Sequence, residues 1–549
     1  MKKLFTLFFI AGCFNLHAQF VNQLVFIDSL TKHQVDSVLI AATGSQIIPF
    51  NLAYDVKLYK IIYNTVDWDS NATTASGLLC VPVGTPCKVP LLSYQHGTAV
   101  QKSDGPSRLS GEWYIGLAAA SIGYVTVLPD YLGIGDGPNL HPYQIAHSAA
   151  TAVIDMIRAS KEVIDSLGAP LTDQLFLFGY SEGGHATMAA HQLIQEKLDN
   201  VMHVTASAPM SGAYDMSGVM ADVMVSDSTY PEPYYLPYII FAYNEVYHLF
   251  TNDSDVMVHP YDATLPLLFD GNHSAGTIDN AMPTVPKLIM QPFQVDSFIN
   301  DSVNNYFRVK LRENNTYNWI PNSPLRMYFC QGDRSVNYNN SVVAYQHFMQ
   351  NGATLVDTVD VNPALDHVPC AEFAILDATS WFDSLLYLTA KGVVVINDSN
   401  ALTPNGSATV SAAHGDPPYR FAWSNGDSTA TATGLAAGTY YVTVYDNACQ
   451  SYMDSATVQL ISGLEGPVLT NVKVYPNPSK GIVNIKNLDP TDNIKQAEVF
   501  DMSGRMVKTY STNQGNTITL YFDQAAQSIY YLHLKAESGK KVNVKLSVM

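Results

Sequence analysis

The chain has 549 residues, 47% of them hydrophobic and 14% charged, with a formal net charge of −19. It is too long for one ordinary domain and carries enough apolar material for at least one large core. Its acidic balance argues against nucleic acid or an anionic membrane surface as a primary partner, because either would repel it at long range.

Met1-Lys2-Lys3 gives a basic start, Leu4 to Phe14 a short apolar core and Leu16-His17-Ala18 a small-residue cleavage site. Residues 1–18 therefore read as a secretory signal peptide, with the mature chain starting at Gln19. Ile10-Ala11-Gly12-Cys13 also resembles a lipoprotein acylation site, but it follows an unusually short apolar segment. No later run reaches about 18 uninterrupted apolar residues, so no membrane-spanning helix is expected. Export makes disulfides available to Cys80, Cys87, Cys330, Cys370 and Cys449. Cys80 and Cys87 bracket a turn-rich Val-Pro-Val-Gly-Thr-Pro link and are expected to close a small loop, which leaves Cys449 as the odd cysteine.

From about Val56 to Leu386, β-rich runs alternate with amphipathic stretches, the pattern of an α/β domain with a mostly parallel sheet. The expected buried strands are Leu91 to Tyr94, Tyr124 to Leu128, Leu175 to Phe178 and Leu325 to Phe329. Helices are expected near Glu112 to Ile122, His147 to Leu167, Gly184 to Leu198 and Val336 to Asn351. Over residues 215–318 the alternation breaks down and aromatics crowd together, among them Tyr230, Tyr234, Tyr235, Tyr238, Phe241, Tyr243, Tyr247 and Phe250. That stretch reads as a cap inserted over the site, whose aromatics either line the substrate or form the cap's own core. The catalytic region as a whole is placed at 19–390. Residues 391–461 and 471–549 read as two small all-β modules, rich in Val/Thr/Tyr runs between Asn-Gly, Gly-Asp and Pro-Pro turns, joined by a linker at 462–470.

Gly179-Tyr180-Ser181-Glu182-Gly183 lies between the apolar run Leu175 to Phe178 and the amphipathic stretch from Gly184, the strand–turn–helix setting of a nucleophile elbow. A serine hydroxyl needs a histidine to take its proton and a carboxylate to hold that histidine in the right tautomer. Downstream of Ser181, the strand Leu325 to Phe329 ends in the loop Gly332-Asp333, which makes Asp333 the candidate acid. The next strand-like run, Ala353 to Val359, is followed by Asp366-His367-Val368-Pro369 and the amphipathic stretch Ala371 to Leu386, which makes His367 the candidate base. Asp130 precedes the nucleophile and is assigned to tying down a loop. Asp366 adjoins His367 too closely to turn onto its ring. His185, one turn past Ser181, reads as a packing residue. The oxyanion hole is expected to use the backbone N–H of Glu182 and one from Gly97 or Thr98 in the loop Gln95-His96-Gly97-Thr98. Cys330 and Cys370 flank the acid and base loops, and a bridge between them would tie the two together. No phosphate-binding Gly-rich loop, H-E-x-x-H or paired C-x-x-C is present, so no cofactor and no metal are expected.

With Gly179-Tyr180-Ser181-Glu182-Gly183-Gly184, Pro129-Asp130-Tyr131-Leu132-Gly133, Gly332-Asp333 and His367 in this order, residues of about 50 to 390 resemble the secretory lipases of the α/β-hydrolase superfamily. The resemblance implies a Ser-Asp-His hydrolase of small-molecule or lipid carboxylic esters beneath a helical cap. His96-Gly97-Thr98 departs from the fungal pattern of that family, which bears on whether long triglycerides are substrates. Residues 403–460 resemble a repeat of large gliding adhesins through Pro417-Pro418-Tyr419, Trp423-Ser424-Asn425-Gly426 and Gly438-Thr439-Tyr440, with a carbohydrate or surface partner as the corresponding expectation. The last segment is similar to the C-terminal sorting domain of the type IX secretion system, through Tyr475-Pro476-Asn477-Pro478, Asp501-Met502-Ser503-Gly504-Arg505 and Ile529-Tyr530-Tyr531-Leu532. That likeness implies the type IX machinery as a partner and a secreted or outer-surface location. Two other readings share these residues: a serine peptidase on the same fold, and an adhesin that uses the hydrolase fold as a scaffold.

Overall fold

Nine strands, β1 (Val21–Leu30), β2 (Asp55–Val66), β3 (Ala72–Val83), β4 (Val89–Gln95), β5 (Val125–Pro129), β6 (Leu171–Tyr180), β7 (Ala206–Met210), β8 (Leu325–Phe329) and β9 (Val356–Asp360), form one sheet in the order β1-β2-β3-β5-β4-β6-β7-β8-β9. This computed structural model describes residues 20–44, 51–398, 402–460, 471–487, 492–502, 504–511, 517–522 and 528–548. The expected signal peptide (1–18) and linker (462–470) lie outside the described residues. The first three strands pair antiparallel and β3 is antiparallel to β5, while every pair from β5 to β9 in the sheet order is parallel. Strands β4, β5 and β7 are buried at every position. Helices must therefore cover both faces, which is why β4 and β5 read as largely apolar runs.

One face is covered by the helices Ala146–Val163 and Glu182–Lys197, packed on the β-strand side chains of Ile61, Leu79, Val127 and Leu177. The other is covered by Lys32–Thr43, Trp113–Ile122 and His367–Leu386, packed on Leu58, Leu78, Leu92 and Phe176. The order and sense of the strands place the C-terminal ends of β4, β6, β8 and β9 along one edge. Catalytic loops of an α/β sheet collect there.

The cap lies between β7 and β8. Its helices, including Tyr235–Tyr247, Pro292–Asn300 and Tyr306–Glu313, enclose a core containing Tyr234, Tyr238, Tyr243, Phe298 and Phe307. The hydroxyls of Tyr238 and Tyr243 donate to the carbonyls of Ala99 and Gln144, at 2.9 and 3.2 Å. Most of the aromatic density thus serves the cap's own core and its anchorage.

Thr389–Ile396, Gly406–Ala413 and Thr431–Leu435 form a three-stranded sheet, and Arg420–Trp423, Gly438–Tyr445 and Ser451–Val458 form another. Farther along, Val472–Tyr475, Ile482–Asn487 and Thr517–Tyr521 make one antiparallel sheet. Ile494–Phe500, Met506–Ser511, Ser528–Ala536 and Lys541–Val548 make a second. Val483, Ile485 and Ile518 of the one share an apolar core with Val499, Leu532 and Leu546 of the other, so the pair forms a small sandwich. By compactness the chain divides into two units. The first is Met1–Lys391 with Ala412–Arg420 and Val444–Tyr452, and the second is Gly392–Ser411, Phe421–Thr443 and Met453–Met549.

The Cys80–Cys87 bridge expected from the sequence is absent. Cys80 sits inside β3 opposite Leu58 and Thr126, fully buried among apolar side chains, and is a free thiol. Burial raises its pKa far above the ordinary thiol value. Cys87, in the half-exposed turn that follows, bonds instead to Cys449 across 362 residues. A strand residue whose side chain points into the core cannot reach a partner in the turn beyond. Cys330 and Cys370 are bonded to each other.

Two histidines of the helix Glu182–Lys197 are wholly buried, each with one ring nitrogen satisfied and the other without a partner. His185 Nε2 donates to the Asn314 carbonyl at 2.9 Å, and His191 Nδ1 meets Ser207 Oγ at 2.7 Å. Burial opposes charging of both rings and depresses the pKa of His191 to about 3. Since that lies below the unfolded value, the unfolded chain binds more protons, and stability falls as pH drops from about 6.5 through 3. Between pH 7 and 4.5, His191 should account for roughly 2–3 kcal/mol of lost unfolding free energy. Urea titrations at the two pH values check this. His191→Asn, which keeps a polar atom toward Ser207, should narrow the difference by that amount, and an unchanged difference would assign acid sensitivity elsewhere.

Candidate active site

Ser181 lies at the junction of β6 and the helix Glu182–Lys197 with φ 60° and ψ −120°. A serine held there stores strain of order 1–3 kcal/mol, which the surrounding packing must enforce. The glycines make the turn possible: a Cβ on Gly183 would lie 1.8 Å from the Gln95 carbonyl oxygen. Gln95 ends β4, so the nucleophile turn is pressed directly against the loop that follows β4.

The three segments singled out by the sequence converge. Ser181 Oγ is 2.9 Å from His367 Nε2, and His367 Nδ1 is 2.7 Å from Asp333 Oδ2. All three residues are buried. The other carboxylate oxygen of Asp333 accepts from the backbone N–H groups of Ser335 and Val336 at 3.0 and 2.8 Å. That fixes the carboxylate plane and leaves Oδ2 for the imidazole. With Nδ1 carrying the proton toward Asp333, Nε2 is free to accept the serine proton. The His367 carbonyl accepts from Tyr180 Oη at 2.6 Å, so the residue before the serine also holds the loop that carries the histidine.

The rejected carboxylates have other duties. Asp366 receives the Arg334 side chain, with Nε at 2.7 Å, and caps the His367 N–H. Partial burial opposes its ionisation, but these hydrogen bonds and the Arg334 charge prevail and lower its pKa to about 2. Asp130 is buried and accepts from Ser76 Oγ, Ser107 Oγ and the Ser107 N–H, tying a loop as expected. Burial raises its pKa, with those hydrogen bonds acting in opposition.

Of the backbone donors considered for an oxyanion, Gly97 is engaged. Its N–H donates to Glu112 Oε2 at 2.9 Å, an oxygen that also accepts from Tyr94 Oη at 2.7 Å. Glu112 immediately precedes the helix Trp113–Ile122, where a carboxylate suits the positive helix end. The Thr98 N–H has no acceptor among the described residues, nor has that of Glu182 at the first turn of its helix. Of the three candidate donors, the Thr98 and Glu182 N–H groups are thus the two without an acceptor among the described residues, and that of Gly97 is taken by Glu112.

Two residues near the serine gave no sequence signal of their own. Glu112 is one. His141 is the other: its Nε2 lies 2.6 Å from Glu182 Oε1, both groups are buried, and its Nδ1 lies 2.8 Å from the Leu132 carbonyl. Glu182 itself was the available clue, since an ionisable side chain beside a buried elbow requires a partner.

A cavity of about 450 Å³ opens at Ser181. Its lining includes Gly97, Thr98, Tyr180 and His367, and of the cap aromatics only Tyr235. Among the described residues no cluster of side chains suited to a metal ion is present, and no helix is long and apolar enough to cross a membrane.

Residues 112–208 match the family model of a secretory lipase, and residues 473–549 match that of a secretion system C-terminal sorting domain. A search of curated proteins found no match. Among solved structures, a hydrolase from Legionella pneumophila is 33% identical, with a TM-score of 0.62, over 66% of this chain and 98% of that one. The rice cell wall degrading esterase LipA from Xanthomonas oryzae is 27% identical, with a TM-score of 0.60, over 67% of this chain and 98% of that one. Candida antarctica lipase A, at 14% identity and a TM-score of 0.50 over 67% and 81%, shares the fold. The sorting domain and the lipase match make this a hydrolase destined for secretion or the cell surface, with the type IX secretion machinery as a partner. The chain belongs to the secretory lipases of the α/β-hydrolase superfamily.

Proposed function

We propose that the protein hydrolyses carboxylic esters through an acyl-enzyme formed on Ser181. Ser181 Oγ attacks the ester carbonyl as His367 Nε2 takes its proton, and Asp333 stabilises the resulting imidazolium. The N–H groups of Glu182 and Thr98 donate to the oxyanion. The tetrahedral intermediate collapses as His367 returns the proton to the leaving alcohol. Water, deprotonated by the same nitrogen, then attacks the acyl carbonyl, and Ser181 leaves with the proton regained. The domain division that accompanies this reading assigns the chemistry to residues 19–390, the cap to 215–318 and sorting to 471–549.

The observation that carries the reading is the continuous hydrogen-bonded line from Ser181 Oγ to Asp333, buried, at the mouth of a largely apolar cavity. The LipA esterase of Xanthomonas oryzae, similar over nearly its whole length, supports an ester as substrate. Treatment of the full chain with a fluorophosphonate should add one phosphonyl group to the peptide containing Ser181. p-Nitrophenyl esters should be hydrolysed by the untreated protein and not by the labelled one. A folded protein that neither labels at Ser181 nor turns over any ester would sink the proposal.

A further inference from the structure

The cap contributes only Tyr235 to the cavity lining. The cavity extends between two helices of the sheet's own layer. From the helix Trp113–Ile122 it is lined by Ile115, Ala118, Ala119 and Ile122, and from the helix His367–Leu386 by Val368, Ala371, Ile375 and Thr379 among others. Both sets recur at three- and four-residue spacing, so each is a single helix face, and the two faces look at one another. Facing helix surfaces ordinarily interdigitate. Here Ala118, Ala119 and Ala371 supply only methyl groups at the middle of the contact and leave the space between them open. Leu39 and Thr43 of the helix Lys32–Thr43 also line it, with Tyr114 and Phe178.

Both helices begin at the catalytic machinery. His367 is the first residue of one, and Glu112, bonded to the Gly97 N–H, immediately precedes the other. A chain attached to the acyl carbon at Ser181 would enter between their first turns. From Ile115 to Ile122 the channel runs about 10 Å along the helix axis. That length holds a straight saturated chain of roughly eight to ten carbons. The two carboxylates on the lining belong to the catalytic end. Glu112 is held by Tyr94 and Gly97, and Glu372 is exposed on the first turns of its helix.

We infer that the interhelical channel between Trp113–Ile122 and His367–Leu386 is the acyl-chain site, and that it selects esters of medium-chain, straight saturated acids. The inference rests on the ester-hydrolase reading of Ser181. Each methylene moved from water into the channel raises kcat/KM by about fourfold until the channel is full. Ala118 and Ala371 set how far a chain can pass, and Ile122 sets where it stops.

The test uses the full chain and p-nitrophenyl esters from acetate to palmitate. The parent should rise steeply from acetate to an optimum near octanoate or decanoate and then level or fall. Ala118→Leu and Ala371→Leu should each lower the ratio of decanoate to acetate kcat/KM by about tenfold to a hundredfold. Ile122→Ala should shift the optimum toward longer chains. Fluorophosphonate labelling of Ser181 in each variant reports whether the site is folded, and Ile122→Ala carries the test if a leucine variant fails to label. A decanoate-to-acetate ratio that stays within twofold of the parent in labelled variants would overturn the channel assignment while leaving the hydrolase intact. Absence of any Ser181-dependent ester turnover in the parent would instead remove the reading beneath it.

Discussion

Asp333→Asn is expected to fold like the parent yet to lose about 10³–10⁴-fold in kcat on a p-nitrophenyl ester. The size of the effect follows from the hydrogen bonds on the two carboxylate oxygens. Oδ1 accepts from the N–H groups of Ser335 and Val336. An asparagine must therefore keep its carbonyl oxygen on that side, which turns its NH₂ toward His367 Nδ1. A donor facing Nδ1 forces the ring proton onto Nε2, the nitrogen that must accept from Ser181 Oγ. The geometry survives and the tautomer is reversed. Ser181→Ala should be at least as severe, leaving only what binding and the oxyanion donors supply. Steady-state kinetics with matched thermal unfolding curves measure both. An asparagine variant within tenfold of the parent would mean that Asp333 does not set the tautomer.

The parts of this arrangement that were legible in the sequence are those written locally. Ser181 is flanked by glycines because a side chain at Gly183 would collide with the Gln95 carbonyl, and that steric demand leaves a mark in a pentapeptide. Strands β4, β5, β6 and β8 are legible because burial on both faces leaves largely apolar runs, broken in β8 only by the half-buried Arg326. Strand β7 was not. Its Ala-Ser-Ala-Pro-Met has little β-branched or aromatic character, although it lies buried between β6 and β8. Small residues suit it because the elbow crowds it: a Cβ on Gly184 would meet the Met210 carbonyl at 2.4 Å. Contacts between distant segments left no local mark. Cys87 finds Cys449 only once the chain has folded, and Glu112 reaches Gly97 across the turn after β4. The channel is of the same kind. Ala118 and Ala119 read as ordinary helix packing until a second helix, some 250 residues farther along the chain, turns the face that carries Ala371 toward them. The cap aromatics illustrate the converse, since a conspicuous local cluster proved to be mainly the cap's interior.

Removing the Cys330–Cys370 bridge as the double variant Cys330→Ala/Cys370→Ala should cost roughly 4 kcal/mol of unfolding free energy. That is the loop-closure entropy expected for residues 40 apart in sequence. The bridge joins the residue just after β8 to the first turn of the helix His367–Leu386. Asp333 lies three residues beyond one cysteine and His367 three residues before the other. The covalent link is therefore a short strap around the Asp333–His367 hydrogen bond, and both sulfurs are buried in the core beneath it. Loosening the strap should also lower kcat by about tenfold, because small displacements of a proton-transfer pair carry large penalties. Alanine is the suitable replacement, since serine would leave two buried hydroxyls in apolar surroundings. Breaking Cys87–Cys449 as Cys87→Ala/Cys449→Ala provides the contrast: it should change stability without changing kcat, because neither residue adjoins the Ser181, Asp333 or His367 loops. Urea unfolding and ester kinetics on the two double variants separate the effects. If the Cys330/Cys370 variant unfolded at the parent's urea concentration, packing of β8 and the helix on the sheet would be sufficient to hold the acid and base loops together without a covalent tie.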